Sequence, residues 1–134
     1  MDEDAWGIDG SIIHFPNEPE KIYFIWSCTN KSNIQSICIA PMLDPVTTGP
    51  RVIISSPQYD WEKHGNTVNE GPHALYYKDK VYITFSASLC STPTYSLGLL
   101  TWNGGSPTEP SSWDKLDHPV LSAANGNYGT GHNG

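Results

Sequence analysis

The chain has 134 residues, of which 37% are hydrophobic and 11% aromatic, and these values predict a folded domain with a packed core. Its formal net charge of −7 rules out a broad electropositive surface, so nucleic acid is not an expected partner. Neither a secretory signal peptide nor a membrane-length apolar run is recognisable in the sequence, so we expect no membrane partner.

The composition also indicates the class of fold. Charged residues make up only 16% of the chain, whereas there are 12 Gly, 11 Pro, 5 Trp and 7 Tyr. Gly and Pro favour tight turns, and aromatic residues favour strands. The sequence therefore predicts an all-β fold.

The first predicted unit comprises four strands. Runs of β-branched and aromatic residues, separated by turn-forming residues, indicate strands over 11–15, 21–27, 35–40 and 51–55. We expect this unit to span residues 9–65.

A second unit repeats the plan over residues 70–122. Its strands are predicted over 73–78, 81–86, 95–101 and 119–122. Equivalent residues of the two units, such as Ser27 and Ser86, lie about sixty residues apart, and residues 125–134 begin a third unit. A four-stranded repeat of this length fits a β-propeller blade with long loops.

Three polar residues recur at the entrance of first strands, and the predicted propeller would place them close together. These are Asp9, Glu70 and His132. First strands line the central channel of a propeller, so the three side chains are expected to face one another at one end of it. A ring usually takes about four to eight blades, so a chain with just over two predicts a piece of a larger protein.

Two carboxylates at the mouth of such a channel are consistent with a site that hydrolyses sugars. Glycoside hydrolysis needs one protonated carboxyl group for the leaving oxygen and a second carboxylate on the other face of the ring. An aromatic side chain such as Trp6 would give the sugar a flat apolar surface. The competing interpretation is that each acidic residue only forms a turn or a cap.

The motifs that contain these residues resemble glycoside hydrolase family 43. They are AWGIDG at 5–10, NEGP at 69–72 and GHN at 131–133, and segments 35–42 and 122–134 resemble fungal arabinofuranosidases in particular. The family comprises five-bladed propeller α-L-arabinofuranosidases and β-xylosidases. The resemblance implies that residues 1–134 are part of such a catalytic propeller.

By this resemblance the chain would belong to an inverting glycosidase. Glu70 matches the general acid, Asp9 matches the residue that tunes its pKa, and Trp6, His73 and His132 would contact substrate. The resemblance implies no cofactor for this chain itself, although a calcium ion near His132 is possible in a full-length protein. The implied partner is an arabinose- or xylose-containing polysaccharide, such as plant cell-wall arabinan or arabinoxylan, and the implied location is extracellular.

One part of the family's machinery has no match in the sequence. The general base belongs to the preceding blade, and Asp2 and Asp4 lie too close to Asp9 to come from another blade. We therefore expect the chain alone to be inactive. The alternative function is that of a non-catalytic carbohydrate-binding piece, which would not need a tuned proton donor.

The spacing of the three cysteines does not predict a disulfide framework. Cys28, Cys38 and Cys90 are odd in number and lack a C-x-x-C pattern, so buried free thiols are the favoured prediction. Cys28 and Cys38 flank a predicted hairpin loop, and they could pair if their strands align suitably.

Overall fold

The computed structural model describes residues 6–133, in which the regular structure is strand with short 3-10 helices. Asp2 and Asp4 lie outside this range. The strands are β1 (Gly7–Ile13), β2 (Tyr23–Thr29), β3 (Gln35–Asp44), β4 (Thr47–Thr48), β5 (Val52–Ser55), β6 (Asn69–Tyr77), β7 (Lys80–Ala87), β8 (Ser96–Trp102) and β9 (Trp113–Lys115). The all-β prediction is confirmed. None of the helices in residues 6–133 has the length and apolar content needed to cross a lipid bilayer.

The strands form two antiparallel sheets that follow the chain order. The first has the order β1-β2-β3-β4, with β5 also paired to β3, and the second has the order β6-β7-β8-β9. Within the first sheet, Ile25 lies between Ser11 of β1 and Ile39 of β3. Each sheet is therefore a meander whose first strand is an edge, as in a propeller blade.

The main core lies between the two sheets. Alternate residues of β2, including Tyr23 and Ile25, pack against Val81, Ile83 and Phe85 of β7 in one cluster of buried residues. This alternation follows from the period of two along a strand. Tyr23 and Phe85 are therefore both part of the main core.

The opposite face of the first sheet carries a second, smaller cluster. It consists of Trp26, Cys28, Cys38 and Ala40, with Phe24 stacked on Trp26. Trp26 is thus buried, but on the other face from Tyr23.

This second cluster contains a disulfide between Cys28 and Cys38. Cys28 pairs with Ser36 and Cys38 pairs with Trp26, so the cysteines are diagonal neighbours on one face with their Cα atoms 5.9 Å apart. The favoured prediction of buried free thiols is wrong for both, because strand register, which sequence spacing does not give, brings them together. Cys90 has a free thiol, but it is exposed.

The fourth strand of the second sheet differs from its prediction. It is β9, and the predicted strand over 119–122 contributes only one isolated bridge, between Leu121 and Leu97. Trp113 explains the difference because it is buried, opposite Trp102, and donates from Nε1 to the carbonyl oxygen of Pro107. Burial of this large side chain fixes the strand at that point.

A buried polar network connects the two sheets. Glu62 is fully buried, and its Oε1 accepts hydrogen bonds from Lys115 Nζ at 2.7 Å and Asn69 Nδ2 at 2.9 Å. Asn69 Oδ1 accepts from Ser55 Oγ at 2.8 Å, and the Asn69 carbonyl oxygen accepts from Ser27 Oγ at 3.1 Å. The start of β6 is therefore fixed to the first sheet immediately before Glu70.

Candidate active site

The first strand of the first sheet contains a bulge at Asp9. Ile8 pairs with Ser27, but the next paired residue, Ser11, pairs with Ile25, so Asp9 and Gly10 together oppose one residue of β2. Such a bulge redirects side chains at a strand end.

The same bulge recurs in β6, where Glu70 pairs with Ser86 and His73 pairs with Thr84. The inserted pair is Gly71 and Pro72. Glu70 is therefore the counterpart of Ile8 in the first sheet, and Asp9 is the counterpart of Gly71.

His132, in the predicted third unit, shares the backbone conformation of Asp9 and Gly71. The φ angle is 57° at Asp9, 57° at Gly71 and 60° at His132. Side chains rarely adopt this left-handed conformation, although Asp tolerates it better than most residues. Glu70 precedes the bulge of β6, whereas Asp9 lies in the bulge of β1 and His132 has the φ angle of Asp9.

The Asp9 carboxylate joins the first strands of the two sheets. Asp9 Oδ2 accepts a hydrogen bond from the Gly71 backbone N–H at 3.1 Å. Its other oxygen, Oδ1, lies 4.0 Å from His132 Nε2. Asp9 thus contacts the peptide group next to Glu70 and faces the start of the third unit.

Both oxygens of Glu70 accept hydrogen bonds. Tyr95 donates from its hydroxyl to Oε1 at 2.6 Å, and Gln35 donates from Nε2 to Oε2 at 2.8 Å. Gln35 comes from the first sheet and Tyr95 precedes β8 of the second, so the carboxylate is held between the sheets. Charge-assisted hydrogen bonds of this kind are short and orient the acceptor firmly.

Tyr95 also connects Glu70 to His132. The Tyr95 hydroxyl lies 3.1 Å from His132 Nδ1. Since the hydroxyl proton goes to Glu70, we assign Nδ1–H of His132 as the donor to the Tyr95 oxygen. Burial, and then the hydrogen bond to Glu70, raises the pKa of Tyr95 well above its ordinary value, so this side chain remains a donor at neutral pH.

The segment that carries His132 is fixed against the second sheet. The His132 N–H donates to Ser86 Oγ, and Asn133 Nδ2 donates to Thr84 Oγ1. A Cβ atom at Gly131 would lie 2.5 Å from the Tyr95 ring. Glycine at this position therefore allows the segment to approach Tyr95.

Three of the five predicted site residues line one cavity. Asp9, His73 and His132 line a space of about 250 Å³ together with Gly71. Glu70 does not line it, but its neighbour Gly71 does, and the Tyr95 hydroxyl contacts both Glu70 and His132.

Trp6 does not line that cavity. It belongs to a separate cleft of about 390 Å³, which also contains Gln35, the residue that donates to Glu70. Glu70 lines neither space, but it accepts a hydrogen bond from Gln35 of the cleft and is followed in the chain by Gly71 of the cavity.

The sequence prediction missed Gln35 and Tyr95 as site residues. They occupy equivalent positions in the two units, because Ile37 and Leu97, each two residues further on, pair with the equivalent Ser27 and Ser86. An alignment of the repeats that looked for polar residues at the start of third strands would have found both.

The calcium ion near His132 in a full-length protein stays a prediction. No group of three or more His, Cys, Asp or Glu side chains suited to a metal ion occurs in residues 6–133. Calcium prefers six to eight oxygen ligands, whereas His132 offers nitrogen. We therefore assign no chemical step to a metal.

Comparisons with known proteins agree on a family. The model of the family "Glycosyl hydrolases family 43" matches residues 1–134. The extracellular exo-α-(1→5)-L-arabinofuranosidase of Streptomyces chartreusis is 38% identical over 105 residues, which are 75% of this chain and 32% of that protein. The α-L-arabinofuranosidase 43 of Humicola insolens is 36% identical over 118 residues, 83% of this chain and 24% of that protein. The chain thus spans about a quarter to a third of these relatives.

Solved structures show the same relationship. An α-L-arabinofuranosidase from Lactobacillus brevis superposes with a TM-score of 0.82 and 30% identity, over 92% of this chain and 38% of that one. A thermostable family-43 glycoside hydrolase gives a TM-score of 0.81 and 26% identity, over 99% of this chain and 45% of that one.

Proposed function

The chain belongs to family 43 of the glycosyl hydrolases, and we therefore propose that it carries the proton donor of an inverting glycosidase that acts on α-L-arabinofuranosides. Its fold is that of about two blades of a five-bladed propeller with the start of a third. The observation that best supports the proposal is the Glu70 carboxylate, which is held on both oxygens beside a cavity that Asp9 lines.

Glu70 is proposed to protonate the leaving oxygen as the glycosidic bond breaks. Negative charge then develops on its carboxylate. The Tyr95 hydroxyl and the Gln35 amide already point at the two oxygens, so they stabilise that charge without reorganisation.

Asp9 is proposed to orient and tune Glu70. Its Oδ2 fixes the Gly71 peptide group, which follows Glu70 directly, and its negative charge lies at the same cavity.

The general base is proposed to come from another blade. In the part of the chain that the structure describes, Asp9 is the only carboxylate that lines the cavity. Inversion needs a base on the far side of the sugar ring to activate water. We therefore expect the 134-residue chain to be inactive until a ring of blades supplies that base.

The proposed substrates are arabinose- or xylose-containing polysaccharides outside the cell. The relative from Streptomyces chartreusis is named an extracellular arabinofuranosidase. The Cys28–Cys38 disulfide supports an oxidising compartment for this chain, because such bonds persist mainly in secreted proteins.

The proposal is tested with Glu70→Gln in a full-length protein that contains this chain. Turnover of substrates with poor leaving groups should fall by about 10²–10⁴-fold, whereas substrates whose leaving groups need no protonation should be spared. Steady-state kinetics on both substrate types measure the contrast, with the exposed Glu20→Gln as control. Equal loss on both types would assign Glu70 a structural role, and no activity in the parent protein would favour the carbohydrate-binding alternative.

A further inference from the structure

The loop between β2 and β3 carries a motif that the proposed function does not use. Residues 30–32 read Asn-Lys-Ser, which is the only Asn-x-Ser/Thr sequon in the sequence. This pattern, with any residue except Pro in the middle, marks an acceptor for asparagine-linked glycans in secreted proteins. Asn30 is therefore a candidate modification site if its amide is accessible.

The sequon lies at the tip of a hairpin, outside the paired strands. Thr29 and Gln35 form the last pair between β2 and β3, and the sequon follows Thr29 directly. Lys31 and Ser32 are exposed, and Asn30 is half-buried. A glycan attached here would extend into solvent without displacing a strand.

The Asn30 side chain leaves its amide nitrogen free for attachment. Its Oδ1 accepts hydrogen bonds from the backbone N–H groups of Ser32 at 2.9 Å and of Ile34 at 3.0 Å, which is an Asx turn. Within residues 6–133, neither Asn30 Nδ2 nor the Ser32 hydroxyl makes a hydrogen bond. The two side-chain groups that define the sequon are thus both unengaged.

The turn and the disulfide fit the place and time of such a modification. The two turn hydrogen bonds span only two and four residues, so they can form before β2 and β3 pair. The Cys28–Cys38 disulfide on the same two strands indicates folding in an oxidising compartment. In eukaryotic cells that compartment is also where asparagine-linked glycans are attached.

We propose that Asn30 is a site of asparagine-linked glycosylation when this protein passes through a eukaryotic secretory pathway. Asn30 Nδ2 forms a bond to the anomeric carbon of an oligosaccharide donor, and the bond between that carbon and the lipid diphosphate of the donor breaks. One amide proton leaves to a base of the transferase. Because Oδ1 is unchanged, both turn hydrogen bonds persist. The inference rests on the proposed extracellular location, but not on the role of Glu70.

A full-length protein that contains this chain, secreted from yeast, tests the site. Enzymatic removal of glycans in heavy-oxygen water converts a glycosylated asparagine into labelled aspartate. Trypsin then releases residues 22–31, whose only asparagine is Asn30, so mass spectrometry of this peptide identifies the site. We expect the label in the parent protein and in Ser32→Thr, and its complete loss in Ser32→Ala.

The variants also supply the controls. Ser32→Ala keeps the Asn-Lys pair and therefore controls for spontaneous deamidation. Asn17→Gln changes an exposed asparagine outside any sequon and should leave the label unchanged. The proposal is overturned by an unlabelled Asn30 in the secreted parent protein, or by a label that persists in Ser32→Ala.

These outcomes are separate from those of the catalytic proposal. An active secreted enzyme with unmodified Asn30 would remove the glycosylation site and leave the role of Glu70 standing. A glycosylated protein whose Glu70→Gln variant keeps full activity would do the reverse.

Discussion

At the scale of single residues, the orientation of Glu70 depends on two side chains at equivalent positions of the repeat. Gln35 and Tyr95 each donate to a different oxygen of the carboxylate. A residue with one such partner could rotate, whereas a residue with two partners from different blades has one favoured rotamer. The repeat thus supplies the rigidity that proton transfer in a fixed direction requires.

Tyr95→Phe tests this role because it keeps the ring against Gly131 and removes only the hydroxyl. A hydrogen bond to a charged group is worth about 1.5–3 kcal/mol, so kcat for substrates with poor leaving groups should fall about tenfold or more. KM should change little, and substrates with good leaving groups should be spared. Kinetics of a full-length protein measure this, with the exposed Tyr128→Phe as control. A uniform loss on both substrate types would mean that Tyr95 only supports the fold.

Asp9→Asn isolates the charge of Asp9 from its structural contribution. Asn tolerates the left-handed φ and retains an oxygen for the Gly71 N–H, so the bulge should persist. Without the charge, the acidic and basic limbs of the pH–rate profile should shift in a full-length protein. Asp9→Ala, which also removes the acceptor, should lower the melting temperature in addition. A pH–rate profile identical to that of the parent protein would contradict the tuning role.

At the scale of elements, a serine on the second strand of each sheet contacts the segment that begins the next unit. Ser27 donates to the Asn69 carbonyl oxygen, and Ser86 accepts from the His132 N–H. Gln35 and Tyr95, which lie at equivalent positions at the start of the third strands, contact the same two segments. Gln35 contacts Glu70, and Tyr95 contacts His132. Each of these two serines thus contacts the start of the following unit at the end where the candidate site lies, although Ser27 donates and Ser86 accepts.

The Glu62–Lys115 pair adds a buried ionic contact between the sheets. Lys115→Met would leave the Glu62 carboxylate buried and without its cation, which typically costs about 3–5 kcal/mol. Urea unfolding followed by fluorescence measures the loss in the free energy of unfolding, with the exposed Lys80→Met as control. The double variant Glu62→Gln, Lys115→Met should recover part of the loss. A double variant as unstable as the sum of the single variants would show that the two groups are not coupled.

The pH dependence of stability provides an independent check on Lys115. Burial lowers the pKa of Lys115 below its ordinary value of 10.5, although the Glu62 contact opposes this. Between the lowered pKa of Lys115 in the folded chain and its ordinary pKa in the unfolded chain, the unfolded chain binds more protons. The contribution of Lys115 to the free energy of unfolding therefore rises as pH rises through this window. Below the lowered value the cost of burying the charge is present in full. Lys115→Met should lack this rise.

Features that neighbouring residues determine could be predicted from the sequence, whereas features that depend on contacts between residues far apart in the chain could not. The runs in β2 and β7 are local, so their strands and the propeller repeat could be predicted. The bulges at Asp9 and Gly71 add a residue that linear spacing does not reveal, and the Glu62–Lys115 contact joins residues 53 apart. The Cys28–Cys38 disulfide could not be predicted from the spacing of the cysteines, because it depends on the register between β2 and β3.

At the scale of the whole molecule, the two sheets cover each other on one face only. Ile12 on the outer face of the first sheet is 50% exposed, and Leu75 on the outer face of the second is 47% exposed. In the solved structures that this chain matches, it covers 38% and 45% of the longer chains. A propeller ring gives each blade a neighbour on both faces, so these surfaces have the character of blade interfaces.

We therefore expect the 134-residue chain alone to associate with itself or with a complementary fragment. At about 25 cal/mol per Å² of apolar surface, several hundred Å² left in water on each face forfeits several kcal/mol, a large part of the roughly 5–15 kcal/mol that stabilises a domain. Sedimentation velocity over a range of concentrations should show species larger than the monomer. Ile12→Lys and Leu75→Lys, one on each outer face, should reduce association, whereas Val46→Lys, at an exposed turn, should not. A monomer with a sharp unfolding transition would contradict the expectation, because it would mean that two blades bury enough surface to be stable without neighbours.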